Sequence, residues 1–303
     1  MVILVSGSTG FVGAAVVEHL QSLGHAVVRL VRGEARGGDV SWNPAAGRID
    51  PLPDTLDAVV HLAGENILGR WTQRKKDAIY TSRVNGTRLL AETLARMERP
   101  PNVLVCASAI GFYGDCGDEP VTEAASPGDG FLSGVCRDWE AAAEPAAGAG
   151  IRVVHLRLGM VLAPHGGALG KMLVPFKLGL GGRLGTGRQW VSWITLADVV
   201  RIVAFALETE SLVGPVNAVA PEPVRNRAFT ARLAAALHRP AVIPLSAAVL
   251  TAAMGQCARE TLLAGVRAKP EKLQSLNFQF THPTLETALS EILSRQISQQ
   301  SLP

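Results

Sequence analysis

The sequence predicts an α/β protein: a doubly wound parallel sheet covered by helices, with a smaller, mainly helical C-terminal lobe. Three observations carry that expectation. Strand-like and helix-like segments alternate through the first half of the chain. The strand-like runs are continuously apolar, as strands buried on both faces must be. The chain also opens on an apolar run, a glycine turn and a helix, in that order.

Val2-Ile3-Leu4-Val5 reads as the first buried strand, and Ala14 to Leu23 as a helix that stops at Gly24. His25 to Val31 is a second strand and Asp57 to Gly64 (DAVVHLAG) a third. A long helix is expected over roughly Thr72 to Met97. Pro100-Pro101 then introduces a strand over Asn102 to Ser108, and a helix holding Trp139 and Glu140 leads to another over Ile151 to Leu158. After about residue 164 glycines crowd the chain, at 166, 167, 170, 179, 181, 182, 185 and 187. Helical patterns follow over Leu245 to Ala268 and Thr284 to Ile297, with a frayed tail from Ser298 to Pro303. The expected division is a sheet domain, 1–163 plus 188–220, and a smaller substrate-side lobe, 164–187 plus 221–303.

At 303 residues, 48% hydrophobic and 18% charged, the chain suits one large, well-buried enzyme domain with an added lobe. No window approaches the ~18 uninterrupted apolar residues of a membrane span, and the apolar start is too short for a secretory signal. A cytoplasmic protein with no membrane partner is expected. The net charge is +3, and the one basic run, Arg74-Lys75-Lys76, reads as a solvated helix face, which argues against nucleic acid. Cys106, Cys116, Cys136 and Cys257 show no C-x-x-C spacing. His19, His25, His61, His155, His165, His238 and His282 show no ligand spacing. Free thiols, structural or exposed histidines and no metal are therefore expected.

The opening turn, Ser6-Gly7-Ser8-Thr9-Gly10-Phe11-Val12-Gly13, stands between a strand and a helix, as at the start of a Rossmann-type dinucleotide-binding unit. Gly7 permits a tight turn, Gly10 lets backbone approach a pyrophosphate, and Gly13 lets helix pack on strand. Thr9, Phe11 and Val12 lie at the helix N-terminus, where backbone N–H groups favour phosphate charge. The spacing is G-x-x-G-x-x-G rather than the tighter G-x-G-x-x-G. NAD-binding units carry an acid at the end of the second strand. Here stand Val31 and Arg32, with Gly33 next and Arg36 nearby. A carboxylate that would repel a 2′-phosphate is missing, and a guanidinium that could pair with one is present, so NADP(H) is expected over NAD(H). The plain alternative is an exposed strand-end arginine. FAD finds no further support. Leu62-Ala63-Gly64 at the end of the third strand are expected to lie under the dinucleotide, or to serve close packing.

Further motifs are ordered along the chain: His61-Leu62-Ala63-Gly64, Asn85-Gly86-Thr87 and Ser108 to Gly114 (SAIGFYG). With the glycine turn they resemble the motifs of extended short-chain dehydrogenase/reductases. His61 to Ile67 (HLAGENI), Arg70-Trp71, Ser82-Arg83, Asp138-Trp139-Glu140, Pro175 to Gly182 (PFKLGLGG) and Trp193-Ile194 with Asp198 are more specific. They are similar to one atypical branch, the NAD(P)-dependent nucleoside-diphosphate-sugar epimerase family with a C-terminal domain of unknown function, here about 245–297. The resemblance spans Val2 to about Ile297. It implies a Rossmann fold holding NADP(H). The wider superfamily also implies a Ser that orients the reacting oxygen and a Tyr-x-x-x-Lys pair whose phenol moves the proton.

Ser108 falls at the serine of that set. The pair is missing: the tyrosines are Tyr80 and Tyr113, four residues beyond them stand Val84 and Gly117, and the expected segment reads Phe131-Leu132-Ser133-Gly134-Val135-Cys136-Arg137. Tyr113 either opens its phenol into the cleft as proton donor or packs on the following helix. Cys136 is an acid–base thiol or a small buried residue, and Glu65 and Asn66 are ligand contacts or helix caps. By the family match Arg83 contacts a cofactor phosphate. Gly159 and Met160 present backbone beside the nicotinamide, and Arg157 is a structural ion-pair partner. Lys177, Arg183, Arg188, Gln189 and Trp193 suit an anionic or sugar-nucleotide ligand, or equally an anchor for the second lobe. The expected function is NADP(H)-dependent oxidoreduction or epimerisation of a small polar or nucleotide-linked substrate. The alternative is a non-catalytic NADP(H)-binding regulator, which the resemblance associates with cell division. A homodimer is compatible with either.

Overall fold

The computed structural model describes residues 1–300, with side chains through residue 294. Strand β1 (Val2–Ser6) runs into the glycine turn and leaves it as helix α1 (Phe11–Ser22). That helix starts ahead of its apolar pattern because Gly10 supplies an extended N-cap (φ −75°, ψ 168°). Strands β2 (Ala26–Val31), β3 (Val40–Asn43), β4 (Arg48–Ile49) and β5 (Ala58–His61) follow. Helix α2 (Gln73–Ala95) begins where the Thr72 hydroxyl accepts the Lys75 N–H at 3.2 Å. Next come β6 (Val103–Ala109), β7 (Pro120–Val121), α3 (Phe131–Ala141), α4 (Glu144–Gly148), β8 (Arg152–Leu158) and β9 (Met160–Leu162).

The later half holds α5 (Gly167–Lys177), β10 (Trp190–Val191), β11 (Trp193–Thr195), α6 (Leu196–Glu208), β12 (Gly214–Ala218) and β13 (Val224–Arg225). It closes with α7 (Asn226–Ala236), α8 (Ala247–Met254), β14 (Arg267–Ala268), α9 (Glu271–Ser275) and α10 (Leu285–Gln300).

The main sheet has eight strands in the order β12-β8-β6-β5-β1-β2-β3-β4, parallel except for β4 at its edge. From β1 the chain winds outward through β2 and β3. It then restarts at β5 on the other side of β1 and winds through β6, β8 and β12. The strand order therefore reverses between β1 and β5, where Ser6 pairs with His61. A crevice at such a reversal, beyond the carboxyl ends of the strands, is where open α/β sheets hold ligands.

Both faces of the sheet are covered, which explains the uninterrupted apolar strands. Ile3, Val5, Val60, Val105 and Val154 pack under Val16 and Leu20 of α1 and Ile202 and Val203 of α6. Leu4, Val59, Leu104 and Val153 point the other way, against Leu90, Ala91 and Leu94 of α2. A separate core gathers Leu169 and Phe176 of α5, Phe229 and Leu233 of α7 and Leu289 of α10 around Trp193.

Several expectations are corrected. Strands β3, β4 and β12 have no long apolar run: β3 has only Val40 and Trp42 buried, and β12 begins Gly-Pro. Leu245 to Ala268 is not one helical region, because Gly255 (φ +63°) ends α8, a single π turn follows over Ala258–Leu262, and β14 closes the segment. Helix α10 runs through Gln300, so the expected tail is helical from 298, and 301–303 lie outside the described residues. The basic run of α2 is only partly solvated, since Lys75 pairs with Glu65 at 2.6 Å and Lys76 sits 5.2 Å above the Phe131 ring. Among the described residues no helix is long and apolar enough to cross a membrane and no cluster could hold a metal, and all four cysteines are free.

Candidate functional site

The glycine turn is wedged into the crevice between β1 and β5. A Cβ on Gly7 (φ +68°) would stand 2.8 Å from the Leu62 carbonyl and the Ala63 nitrogen, and one on Gly13 would stand 2.0 Å from the Gly7 oxygen. Helix α1 thus rides directly on the turn. Ser6 Oγ ties the two strand ends together by accepting the Leu62 and Ala63 N–H groups at 3.2 and 3.3 Å. Among the described residues no side chain caps α1 and no acid stands in its first turn, so its leading N–H groups are left unclaimed by a side chain. That backbone cradle fits a dinucleotide pyrophosphate. Phe11, in the same first turn, lies against Gly166 and Gly167, where added Cβ atoms would come within 2.8 and 2.9 Å of its ring. Val31 ends β2, and Arg32 follows it exposed, with no ion pair among the described residues.

Beneath the turn, His61 is wholly buried. Its Nδ1 lies 2.6 Å from Ser6 Oγ and its Nε2 3.0 Å from Thr87 Oγ1. Trp139 Nε1–H donates to the same Thr87 Oγ1 at 2.9 Å. Burial lowers the His61 pKa from 6.5 to about 4, so the ring is neutral. Arg83 packs beside Gly64, 5.0 Å over the Trp139 ring, and its Nη1 donates to the Glu65 and Ile79 carbonyls at 2.9 and 3.4 Å. The side chain of Asn66 caps the Leu68 N–H, and Glu65 is held by Lys75.

At the carboxyl end of β6, Ser108 is buried and its Oγ donates to Glu140 Oε1 at 2.7 Å. Arg157 of β8 grips the same carboxylate through Nε and Nη2, both at 2.8 Å. The expectation that Tyr113 opens its phenol into the cleft is corrected here. The residue is 3% exposed, and its hydroxyl donates to Asn217 Oδ1 at 2.7 Å while accepting from Arg157 Nη1 at 2.9 Å. Desolvation raises its pKa above the ordinary tyrosine value, against a smaller opposing pull from Arg157. Tyr113 therefore braces β8 and β12 from inside.

The places expected for a Tyr-x-x-x-Lys pair are apolar. Leu132 and Cys136, four apart on α3, are the side chains that face Gly111 just beyond Ser108, at 3.6 Å and 4.0 Å from a Cβ built there. Burial pushes the Cys136 thiol up to about 12, so it is a buried packing residue. Gly159 has no room for a side chain, since a Cβ would meet the Ser192 oxygen at 2.7 Å, and Met160 N–H donates to that oxygen at 2.9 Å.

The glycine-rich segment splits. Trp193 is fully buried with Nε1 on the Glu222 carbonyl, and Gln189 Nε2 donates to the Leu184 and Leu262 carbonyls. Both are anchors of the second lobe rather than ligand contacts. Arg183 and Arg188 are exposed.

One residue escaped sequence reasoning. Glu260, on the π turn of the C-terminal region, accepts the Phe131 and Leu132 N–H groups at 3.2 and 2.9 Å and so caps α3. Gly130 (φ +103°) leaves space for that carboxylate. Nothing local signals it, because the cap comes from 128 positions away. Between the cap and Gly111, Gly114 and Leu132 lies a cavity of about 100 Å³.

Comparisons with known proteins agree with this architecture. The model of the NAD dependent epimerase/dehydratase family matches residues 3–219, and that of a domain of unknown function (DUF1731) matches residues 245–292. Epimerase family protein Mb2239 of Mycobacterium bovis is 42% identical over 297 residues, covering 97% of this chain and 98% of that protein. Human epimerase family protein SDR39U1 is 38% identical over 298 residues, covering 97% of this chain and all of its own. The crystal structure of human SDR39U1 (isoform 2) with NADPH superposes with a TM-score of 0.91 at 37% identity, over 97% of this chain and 99% of that one. UDP-glucose 4-epimerase of Thermus thermophilus, in complex with NAD, shares the fold at 19% identity and a TM-score of 0.71, covering 97% of this chain and 98% of that one. By the extent of the family match and of its relatives, the chain belongs to the NAD dependent epimerase/dehydratase family.

Proposed function

We propose that the chain is an NADP(H)-dependent oxidoreductase or epimerase acting on a small polar or nucleotide-linked substrate at the crevice between β1 and β5. The observation that carries this reading is the glycine cradle at the strand-order reversal, with an uncapped helix above it and Arg32 where a ribose-binding acid would stand. The NADPH in the structure of the human relative supports the choice of cofactor.

When bound, the nicotinamide cofactor supplies a hydride carrier. The N–H groups at the start of α1, from Phe11, Val12 and Gly13, with Gly7, Thr9 and Gly10 in the turn, hold the pyrophosphate. Val31 and Arg32 would meet the adenosine ribose and its 2′-phosphate, Leu62, Ala63 and Gly64 would form the floor, and Arg83, beside Gly64, would contact a cofactor phosphate. Gly159 and Met160 line the nicotinamide end. Ser108 is the catalytic residue. Its proton is committed to Glu140, so Oγ offers lone pairs and accepts a hydrogen bond from a substrate hydroxyl. Arg157 holds the Glu140 carboxylate in place at two points, while Leu132 and Cys136 pack on the side of Gly111. The smaller lobe, 164–187 plus 221–303, covers the substrate side. Tyr113 takes no part in the chemistry.

The test is NADPH consumption with a panel of small carbonyl compounds and nucleotide-linked sugars. Turnover is expected, and Ser108→Ala should lower it about a hundredfold with NADPH affinity unchanged. Tight NADPH binding without turnover of any member, or full turnover by Ser108→Ala, contradicts the reading.

A further inference from the structure

A second cavity, of about 300 Å³, lies within the C-terminal lobe and shares no lining residue with the glycine turn. Its polar side is made by Arg183, Arg227 and Thr230, and its other wall by Ala231, Ala241, Val242 and Pro244. The volume sits at the lower edge of the ~300–1,000 Å³ range of small-molecule sites.

The glycines that crowd this stretch bring the two arginines together. Arg183 comes from the segment before Gly187, and Arg227 from the first turn of α7, where its N–H donates to the Gly187 carbonyl at 2.9 Å. A Cβ on Gly187 (φ +70°) would stand 3.0 Å from the Arg227 Cβ and 3.4 Å from the Arg183 Cβ. Only a residue without a side chain lets both stems converge. Arg183 Nη1 donates to the Thr186 carbonyl at 2.9 Å, and among the described residues its other N–H groups show no hydrogen bond.

Thr230 lies three residues beyond Arg227, on the same face of α7. It is 5% exposed, yet among the described residues its hydroxyl has no hydrogen-bond partner. Buried hydroxyls are ordinarily paired. No acid lines the cavity, and among the described residues neither guanidinium forms an ion pair. Two adjacent positive charges with no counter-charge attract an anion, and two guanidinium forks match a dianion better than a single carboxylate charge. The opposite wall is apolar and open, with Val242 75% exposed.

We propose that this cavity binds a phosphorylated small molecule, its phosphate between Arg183 and Arg227 and its organic body against Val242 and Pro244. The proposal does not depend on hydride chemistry at the glycine turn. Titration calorimetry of the full chain, with NADPH present to occupy that turn, tests it with phenyl phosphate, inorganic phosphate and benzoate. Phenyl phosphate should bind tightest: inorganic phosphate lacks the body, and benzoate lacks the second charge. Arg183→Ala and Arg227→Ala should each weaken it about tenfold or more, with NADPH affinity and the thermal midpoint unchanged. Thr230→Val should weaken it less. Absence of phenyl phosphate binding, or binding that both arginine variants retain, overturns the site. Benzoate binding as tightly as phenyl phosphate overturns the ligand class.

Discussion

Arg157 holds Glu140 at two points, and the pair is sealed between β8 and α3 with side chains 4% and 12% exposed. Removing one partner strands the other charge in a site closed to water, at a cost of ~3–5 kcal/mol. Arg157→Met and Glu140→Gln should each lower the urea midpoint accordingly. The double variant should recover part of the loss, because no lone charge remains. Single losses below about 1 kcal/mol would show that the pair is solvated.

Gly13 has no space for even a methyl group, with the Gly7 oxygen 2.0 Å from where it would sit. Gly13→Ala should therefore displace α1 from the turn and abolish NADPH binding. Gly24→Ala is the control: its φ is +81° but nothing lies within 4 Å, so it should cost stability and leave NADPH affinity intact. Equal NADPH binding by Gly13→Ala and the parent chain would contradict the cradle.

The Glu260 cap joins the C-terminal region to the helix beside Ser108. Glu260→Ala should cost ~1 kcal/mol, as the loss of other N-caps does. Amide exchange at Phe131 and Leu132 should speed up while the β1 amides stay protected. Unchanged exchange at those two amides would remove the cap from the account.

His61 is buried neutral, and its pKa of about 4 lies below the 6.5 of the unfolded chain. Between those values the unfolded chain binds the proton and the folded one does not. Stability is thus intact above pH 6.5 and falls as pH drops toward 4, by up to about 1.4 kcal/mol per pH unit. His61→Asn cannot titrate there. The stability gap between the parent chain and this variant should narrow over that range in urea unfolding at stepped pH. A constant gap would mean that His61 titrates alike in both states.

Local patterns carried the centre of the fold. Val2 to Val5, the glycine turn and Val31-Arg32 are contiguous, and each reports its surroundings through its own residue types. Strand β12, with its Gly-Pro start, is defined by pairing with β8, and a pairing partner leaves no mark on a short sequence. The place of Ser108 near the carboxyl end of its strand is legible from the apolar run before it. The fate of Tyr113 is not, because Asn217 and Arg157 reach it from 104 and 44 positions away. The sequence leaves Trp193 open between a ligand contact and an anchor of the second lobe, and only the core around α5, α7 and α10 shows it facing inward.

The most direct measurement is an equilibrium titration of the chain with NADPH and with NADH, repeated on Arg32→Ala. A guanidinium pairing with the 2′-phosphate predicts NADPH tighter by about tenfold or more, and a variant that loses most of that preference while NADH affinity stays level. NADH binding as tightly as NADPH, or an unchanged preference in Arg32→Ala, would contradict the account.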